Sequence, residues 1–269
     1  MRLPISAFII CQDEEAVIES CLRSLSMCAD IVVVDSGSTD RTVAIVQGLI
    51  DEGMPIRLFH EAWRGYGAQK QFALDQCTQD WCFSVDSDER VSARLTAALP
   101  AMIQTDGVDG WRVTRYDYLN GYGYVPPRAH ERHHNRLFRR GTGRFDPTDR
   151  VHEGIAIDGT VRKAPEGGLL HFRPIPLAEE IGKKNKYSSL KAQMKRERGI
   201  AARPWKMVFS PIVFFGRWYF GHGLWRCGWA GFIHAATGGI YSFLTEAKRW
   251  EAEAIARKPP IEPPEPDGY

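Results

Sequence analysis

At 269 residues the chain is long enough for one large α/β domain, or for one such domain with an appendage. Its 43% hydrophobic and 25% charged residues exclude a disordered chain, and a formal net charge of +2 gives no general attraction to nucleic acid. The six cysteines form no CxxC pair, and the N-terminus has no basic region followed by an apolar segment and a cleavage site, so reduced thiols in a cytosolic protein are expected.

Strands and helices alternate through the first half. Ile5 to Cys11 is a continuous apolar strand. After Gln12-Asp13-Glu14-Glu15, the residues Val17, Ile18, Cys21, Leu22 and Leu25 mark one helical face, with the acids where the helix dipole favours them. Ile31 to Val34 is a second buried strand. It ends in Asp35-Ser36-Gly37-Ser38-Thr39-Asp40, a small-residue turn leading into a capped helix from about Thr39 to Ile50. Ile56 to Phe59 reads as a third strand, Gly67 to Gln76 as a third helix, and Trp81 to Val85 as a fourth strand. This alternation implies a largely parallel sheet with right-handed crossovers.

The fourth strand runs into Asp86-Ser87-Asp88-Glu89. An extended chain would point Asp86 and Asp88 the same way, and oxygen ligands grouped like this suit Mg²⁺ or Mn²⁺. A solvated acidic turn is the competing reading. Open α/β sheets bind ligands beyond the carboxyl ends of their strands, where two aspartate-rich turns now fall. One carboxylate can accept from a base or ribose while the other holds a metal on a diphosphate. Neither G-x-G-x-x-G nor G-x-x-x-x-G-K-[ST] occurs, which argues against a dinucleotide enzyme and a P-loop NTPase.

Trp111 to Tyr116 alternates as a half-buried strand does, and residues 118 to 128, rich in Tyr, Gly and Pro, make a loop beside the site. His130-Glu131-Arg132-His133-His134 is not H-E-x-x-H and has no second ligand cluster, so a structural or substrate-contact role is expected rather than a zinc site. After Arg173-Pro174 the composition changes. Seven Lys or Arg and one Glu lie between Lys183 and Arg198, with Tyr187, Leu190 and Met194 on one helical face. An aromatic segment from Trp205 to Trp229 follows, then a helix carrying Ile233, Ala236, Ile240, Phe243, Leu244 and Ala247. The uncharged run from Cys227 to Thr245 is broken by glycines and His234 and continues into a charged segment, so it does not read as a membrane span. Helices lying in the interface or packed on the α/β domain fit better. From Arg257 onward, five prolines in thirteen residues mark a disordered tail.

The ordered set CQDEE, VVVDSGSTDRT, GYGAQKQFAL and VDSDE resembles glycosyltransferase family 2, whose catalytic domain has the GT-A fold. Arg136-Leu137-Phe138-Arg139-Arg140, Val151-His152-Glu153, Leu170-His171-Phe172 and the Tyr187-Ser188 and Trp218-Tyr219-Phe220 regions extend the likeness to the branch that adds a sugar to the inner core of lipopolysaccharide. The resemblance covers roughly residues 3 to 254. It implies a GT-A domain over residues 1–172, a basic and aromatic helical extension over 173–256, and a tail over 257–269. The enzyme would move a sugar, glucose by the branch, from a UDP-sugar to a lipid-linked glycan with inversion and a divalent cation. It would work from the cytoplasmic face of the inner membrane as a peripheral protein.

The same resemblance implies roles for single residues. Glu14 or Glu15 and Asp35 would line the uridine pocket, and Lys70 would face the nucleotide or its diphosphate. Asp88 would be the direct metal ligand, with Asp86 nearer the ribose or the groups around the metal. Glu153 would be the base, with Asp146 and Asp149 as rivals and His152 orienting it or touching the acceptor. Arg136, Arg139 and His171 would contact the acceptor, the guanidinium fork suiting phosphate or carboxylate. Two alternatives from other classes stay open: a membrane-associated scaffold that keeps the fold without the chemistry, and a nucleotidylyltransferase, which would need a Gly- and Arg-rich N-terminal loop that this chain lacks.

Overall fold

The computed structural model describes residues 2–125, 132–146 and 154–257. The chain forms two compact units, Met1–Tyr118 with His130–Arg173, and Leu119–Ala129 with Pro174–Tyr269.

The first unit contains β1 (Leu3–Cys11), α1 (Ile18–Arg23), β2 (Cys28–Asp35), α2 (Thr42–Asp51), β3 (Ile56–His60), α3 (Tyr66–Asp75), β4 (Trp81–Ser84), β5 (Glu89–Val91), α4 (Ala93–Ile103) and β6 (Gly110–Leu119). A short β7 (Gly123–Tyr124) in the other unit separates these from β8 (Arg132–Arg139), β9 (Gly143–Phe145), β10 (Ile155–Ile157) and β11 (Val161–His171). The central sheet has the order β3-β2-β1-β4-β8-β6-β11-β5. The strands β3, β2, β1 and β4 run parallel, β8 is antiparallel to β4 and β6, β11 is parallel to β6, and β5 is antiparallel to β11.

The apolar runs are continuous because these strands are buried on both faces. Ile5, Ala7 and Ile9 of β1, Ile31 and Val33 of β2, and Trp81 and Phe83 of β4 pack beneath α1, α2 and α4. Phe8, Val32, Val34 and Cys82 point the other way, toward Ala73 and Leu74 of α3 and Phe145 and Ile155. Phe8 meets Phe138 and Phe145 edge-on, with centroids 6.3 and 6.0 Å away. All six cysteines are buried and none forms a disulfide.

Two local expectations are corrected. The second helix starts at Thr42, not Thr39. The preceding residues are drawn into hydrogen bonds with the β1 loop: Thr39 N–H and Oγ1 and Asp40 N–H donate to Asp13, and Arg41 N–H donates to Glu15. The stretch after β4 is not extended either. Glu89 N–H returns to the Asp86 carbonyl at 2.9 Å, so Asp86-Ser87-Asp88-Glu89 is a turn and its aspartates take different partners.

Bulges then aim the distal strands. Trp111 of β6 opposes Leu137 and Arg112 opposes Asn135, which leaves Arg136 as the extra residue of β8. In β11 the register with β6 shifts between Lys163 and Gly168. A Cβ at Gly168 would stand 2.2 Å from the Thr114 carbonyl oxygen, so the close approach there requires glycine. Beyond it, His171 aligns with Asp117 of β6 on one side and Glu89 of β5 on the other.

The second unit contains α5 (Leu177–Glu197), α6 (Pro204–Gly216), a π-helical turn Arg217–Gly221, a 3-10 turn Leu224–Cys227 and α7 (Gly228–Arg257). α6 and α7 form an antiparallel hairpin. A Cβ at Gly238 would come within 2.3 Å of the Phe214 ring, which explains glycine in an otherwise apolar helix. The contact between α5 and α7 is polar: Lys195 Nζ lies 2.7 Å from Glu246, which pairs with Arg249 at 2.6 Å, and Lys248 donates to Asn185 and Ser188. Arg249 is fully buried and also donates to the Ile200 and Ala201 carbonyls. Among the described residues no helix is long and apolar enough to cross a membrane.

Candidate active site

In the sheet unit the chain steps from β1 outward to β2 and β3, then returns to place β4 on the other side of β1. This is a topological switch point, and crevices beyond the carboxyl ends of the strands form there. A cavity of about 1120 Å³ occupies that position, lined by Gln12 and Glu14 after β1 and by Asp86, Ser87 and Asp88 after β4. Lys70 of α3, Arg112 and Arg115 of β6, Arg136 of β8, and His171 and Arg173 at the end of β11 complete its charged wall. Five Lys or Arg thus face three Asp or Glu, a balance suited to a ligand that brings negative charge.

Asp86 sits between two cations. Lys70 Nζ donates to its Oδ1 at 2.7 Å, and Arg136 Nη2 donates to its Oδ2 at 2.8 Å. Burial opposes ionisation, but Arg136 and Lys70 outweigh it and hold the carboxyl well below the usual range. Arg136 Nη2 also donates to Glu89 Oε1 at 2.9 Å, and Asp86 N–H donates to Glu89 Oε2 at 3.0 Å. Glu89 is fully buried, and burial pushes its carboxyl up to about 7. It clamps the turn that presents Asp86.

Asp88 belongs to a second chain of contacts. His171 Nδ1 lies 3.0 Å from Asp117 and its Nε2 lies 3.2 Å from Asp88 Oδ2. Arg173 Nη1 donates to the same oxygen at 3.0 Å and stands 3.6 Å from Glu14. Burial would keep His171 neutral, but the bonds to Asp117 and Asp88 prevail and raise its pKa to about 9. Against burial, His171 and Arg173 hold Asp88 below the usual carboxylate range. Burial moves Glu14 upward, with Asp88 adding to the effect and Arg173 opposing it.

Among the described residues no group of three or more His, Cys, Asp or Glu is arranged to hold a metal ion. The donor set at Asp88 and His171 nevertheless fits a divalent cation that takes the place of the proton held between them. A carboxylate and an imidazole face each other, and Asp117 fixes the imidazole from its other nitrogen, as metal-bound histidines are commonly fixed. Two protein ligands suffice where substrate phosphates and water supply the rest.

The structure brings Glu14, Lys70, Asp86, Asp88, Arg136 and His171 to one cavity. Asp35 does not line it: its carboxylate accepts from Gly37 N–H and Ser38 N–H and shapes the turn that places Ser36 there. Glu15 is exposed and accepts from Arg41 N–H. Arg139 points elsewhere, donating to the Val108 carbonyl and lying over the Trp81 ring at 4.8 Å. Asp146 is exposed after β9, whereas Asp149, His152 and Glu153 lie outside the described residues; Gly154, next in the chain to Glu153, lines the cavity. Glu89, Arg115, Asp117 and Arg173 are participants that sequence reasoning passed over, as are Trp63 and Tyr66, packed edge-on at 4.8 Å on the cavity wall. The acid following the D-x-D pair was the one visible signal, for Glu89.

This sheet, with its switch point and acidic turn, has the GT-A fold. S. aureus TarS in complex with UDP superimposes with a TM-score of 0.51 at 14% identity, over 94% of this chain and 92% of that one. The mannosyltransferase PcManGT from Pyrobaculum calidifontis, in complex with GDP-Man and Mn²⁺, gives 0.50 at 16% identity, over 97% and 77%. The family model for glycosyl transferase family 2 matches residues 6–157. The lipopolysaccharide core biosynthesis glycosyltransferase LpsC of Rhizobium meliloti (strain 1021) is 52% identical over 97% of both chains. The chain belongs to glycosyltransferase family 2, and of the readings left open by the sequence it is the enzyme that stands.

Proposed function

We propose that the protein transfers a sugar, glucose in our reading, from a UDP-sugar to the lipopolysaccharide core or a similar lipid-linked glycan, with inversion. The observation that carries this reading is the 52% identity to LpsC along nearly the whole of both chains, joined to a cation-rich cavity at the switch point. The donor's diphosphate belongs beside Lys70, Arg136 and Arg173, and its base between Glu14 and the aromatic pair Trp63 and Tyr66. Asp35 contributes through the turn it holds. Asp88 and His171 would hold a divalent cation, which when bound neutralises charge on the departing nucleoside diphosphate. With its carboxylate engaged by Lys70 and Arg136, Asp86 serves the ribose and the surroundings of that cation. Arg112, exposed on the cavity wall, is available to anionic groups of the acceptor.

Glu153 is the proposed base, removing the proton from the acceptor hydroxyl as the bond to the sugar forms, with His152 beside it in sequence. The reaction takes place at the cytoplasmic face of a membrane, where a lipid-linked acceptor diffuses and the nucleotide-sugar arrives from the cytosol. Residues 1–172 carry the chemistry and residues 173–256 the attachment.

Two variants test this. Calorimetry should show UDP binding that needs Mn²⁺ in the wild type and is lost in Asp88→Ala; binding unchanged by the mutation overturns the cation assignment. Glu153→Gln should lower turnover about 10²-fold or more while donor affinity persists. Near-normal turnover would return the role to Asp146 or Asp149.

A further inference from the structure

The helical unit turns a broad apolar face outward. On α6 the residues Trp205, Val208, Phe209, Ile212 and Val213 recur at helical spacing, and the last two are 61% and 66% exposed. On α7 the residues Trp229, Ile233, Ile240 and Phe243 form a second exposed stripe. A groove of about 470 Å³ joins the two, with Val208, Ile212 and Phe215 on one bank and Ala236, Ile240 and Phe243 on the other. The stripes therefore share one face.

The charges around this face say what covers it. From Arg198 to Thr245 the chain carries Arg198, Arg203, Lys206, Arg217 and Arg226 and no Asp or Glu. Four of these cations sit at the two ends of the hairpin: Arg203 and Lys206 where α6 begins, Arg217 and Arg226 in the connection to α7. Trp205 stands at the first end and Trp225 and Trp229 at the second, where amphipathic rings mark the headgroup level of a bilayer. An apolar strip flanked at both ends by cations and tryptophans matches an anionic lipid surface in the plane of the membrane. Tip-first insertion is disfavoured, since it would carry Arg217 and Arg226 into hydrocarbon. α6, at 13 residues, is about 20 Å long against a core of about 30 Å, so it cannot cross.

We propose that the α6–α7 hairpin lies flat in an anionic leaflet and that its groove takes up lipid acyl chain. This rests on the membrane reading above and names the surface responsible. Basic α5 is the lesser surface: of its seven cations from Lys183 to Arg198, Lys184 and Lys195 are bound to Glu180, Thr237 and Glu246 within the unit, and Lys183 pairs with Glu179.

Vesicle flotation with the full chain, on phosphatidylglycerol-rich and pure phosphatidylcholine vesicles, decides it. The triple variant Val208→Ser, Ile212→Ser, Val213→Ser should lose at least tenfold in binding, with its circular dichroism and UDP binding intact. Lys183→Glu, Lys186→Glu, Lys191→Glu on α5 should lose less than threefold. Brominated acyl chains should quench wild-type tryptophan fluorescence and leave the triple variant bright. If the α5 variant loses binding and the α6 variant does not, membrane attachment stands and this face is wrong. If the wild type ignores both vesicles and forms a dimer that the α6 variant dissolves, a second copy covers the face and the membrane reading falls with it.

Discussion

The two units of this chain are built with opposite polarity. In the sheet unit, Ile5, Phe8, Ile31, Phe83 and Leu95 are fully buried, and the charged clusters gather where strands end. In the helical unit the fully buried Arg249 is as enclosed as any core isoleucine, while Trp229 is 78% exposed. The contact between α5 and α7 runs through Lys195, Glu246, Arg249 and Lys248, and Tyr187, Leu190 and Met194 of α5 face outward. A soluble domain rarely exposes so large an apolar surface, and burial of ions by itself gives little stability. The difference teaches that the sheet unit keeps its apolar side chains inside and its ions at strand ends, whereas the helical unit encloses ions and leaves aromatic and aliphatic side chains outside.

Removing the buried arginine is the strongest way to break that contrast. Arg249→Ala leaves the Ile200 and Ala201 carbonyls without their donor and Glu246 with Lys195 alone. A loss of about 3–5 kcal/mol is expected, as for one-sided removal of a buried ion pair. Replacing the trio together, Lys195→Met, Glu246→Leu and Arg249→Met, should recover most of that loss, since no ion is left unpaired and only the two carbonyls lack their donor. Five of the eight tryptophans lie in this unit, so denaturant unfolding followed by tryptophan fluorescence reads it directly. A harmless Arg249→Ala would mean that the ions do not hold α5 to α7.

The two units also differed in how far their sequence announced them. β1, β2 and β4 were legible because a strand buried on both faces must be apolar throughout, and Asp86, Asp88, Lys70 and His171 stood in recognisable strings. Asp117 and Arg173 were not legible. Asp117 meets His171 only through the register of β6 with β11, and Arg173 reaches Glu14 across most of the unit. Arg136 and Arg139 were indistinguishable as letters, and their partners separate them: Asp86 and Glu89 for the first, the Val108 carbonyl and the Trp81 ring for the second. The α5 pattern showed a basic helix with an apolar stripe correctly, but nothing local indicates that its partner helix prefers the polar side.

The sheet unit has its own buried charge, at the opposite strand ends from the cavity. Asp30 accepts from Ser6 Oγ at 2.6 Å, from Arg57 at 2.9 and 2.8 Å, and from Thr78 Oγ1 at 3.1 Å. Burial opposes ionisation, yet these bonds prevail and hold its carboxyl below the usual range. A carboxylate with a depressed pKa stabilises the fold above its unfolded value of about 3.9, and that stability is lost as pH falls through the folded value. Asp30→Ala should cost about 1–3 kcal/mol at neutral pH, with Ser6 and Arg57 stripped of an acceptor, and should flatten the acid limb of stability below about pH 4. Thermal melts from pH 3 to 7 check both. An acid limb identical in the variant would show that other carboxylates govern it.

The smallest effect sharpens the comparison most. Val213→Ser alters a side chain that is 66% exposed on α6, so in aqueous buffer it should change stability by no more than about 0.5 kcal/mol. A core valine of the sheet unit, such as Val33 at 0% exposure, offers the control: Val33→Ser removes buried methyls and introduces a hydroxyl, and should cost several times as much. With vesicles present the order should narrow. Burying a whole valine is worth about 1.5–3 kcal/mol, so the two-thirds of Val213 left in water accounts for about 1–2 kcal/mol of lipid affinity. The same substitution is thus nearly silent in the melt and several-fold to about thirty-fold weaker in vesicle binding. If instead Val213→Ser destabilises the free protein as a core substitution does, the outer face of α6 is already covered in solution, and the opposite polarity of the two units is lost.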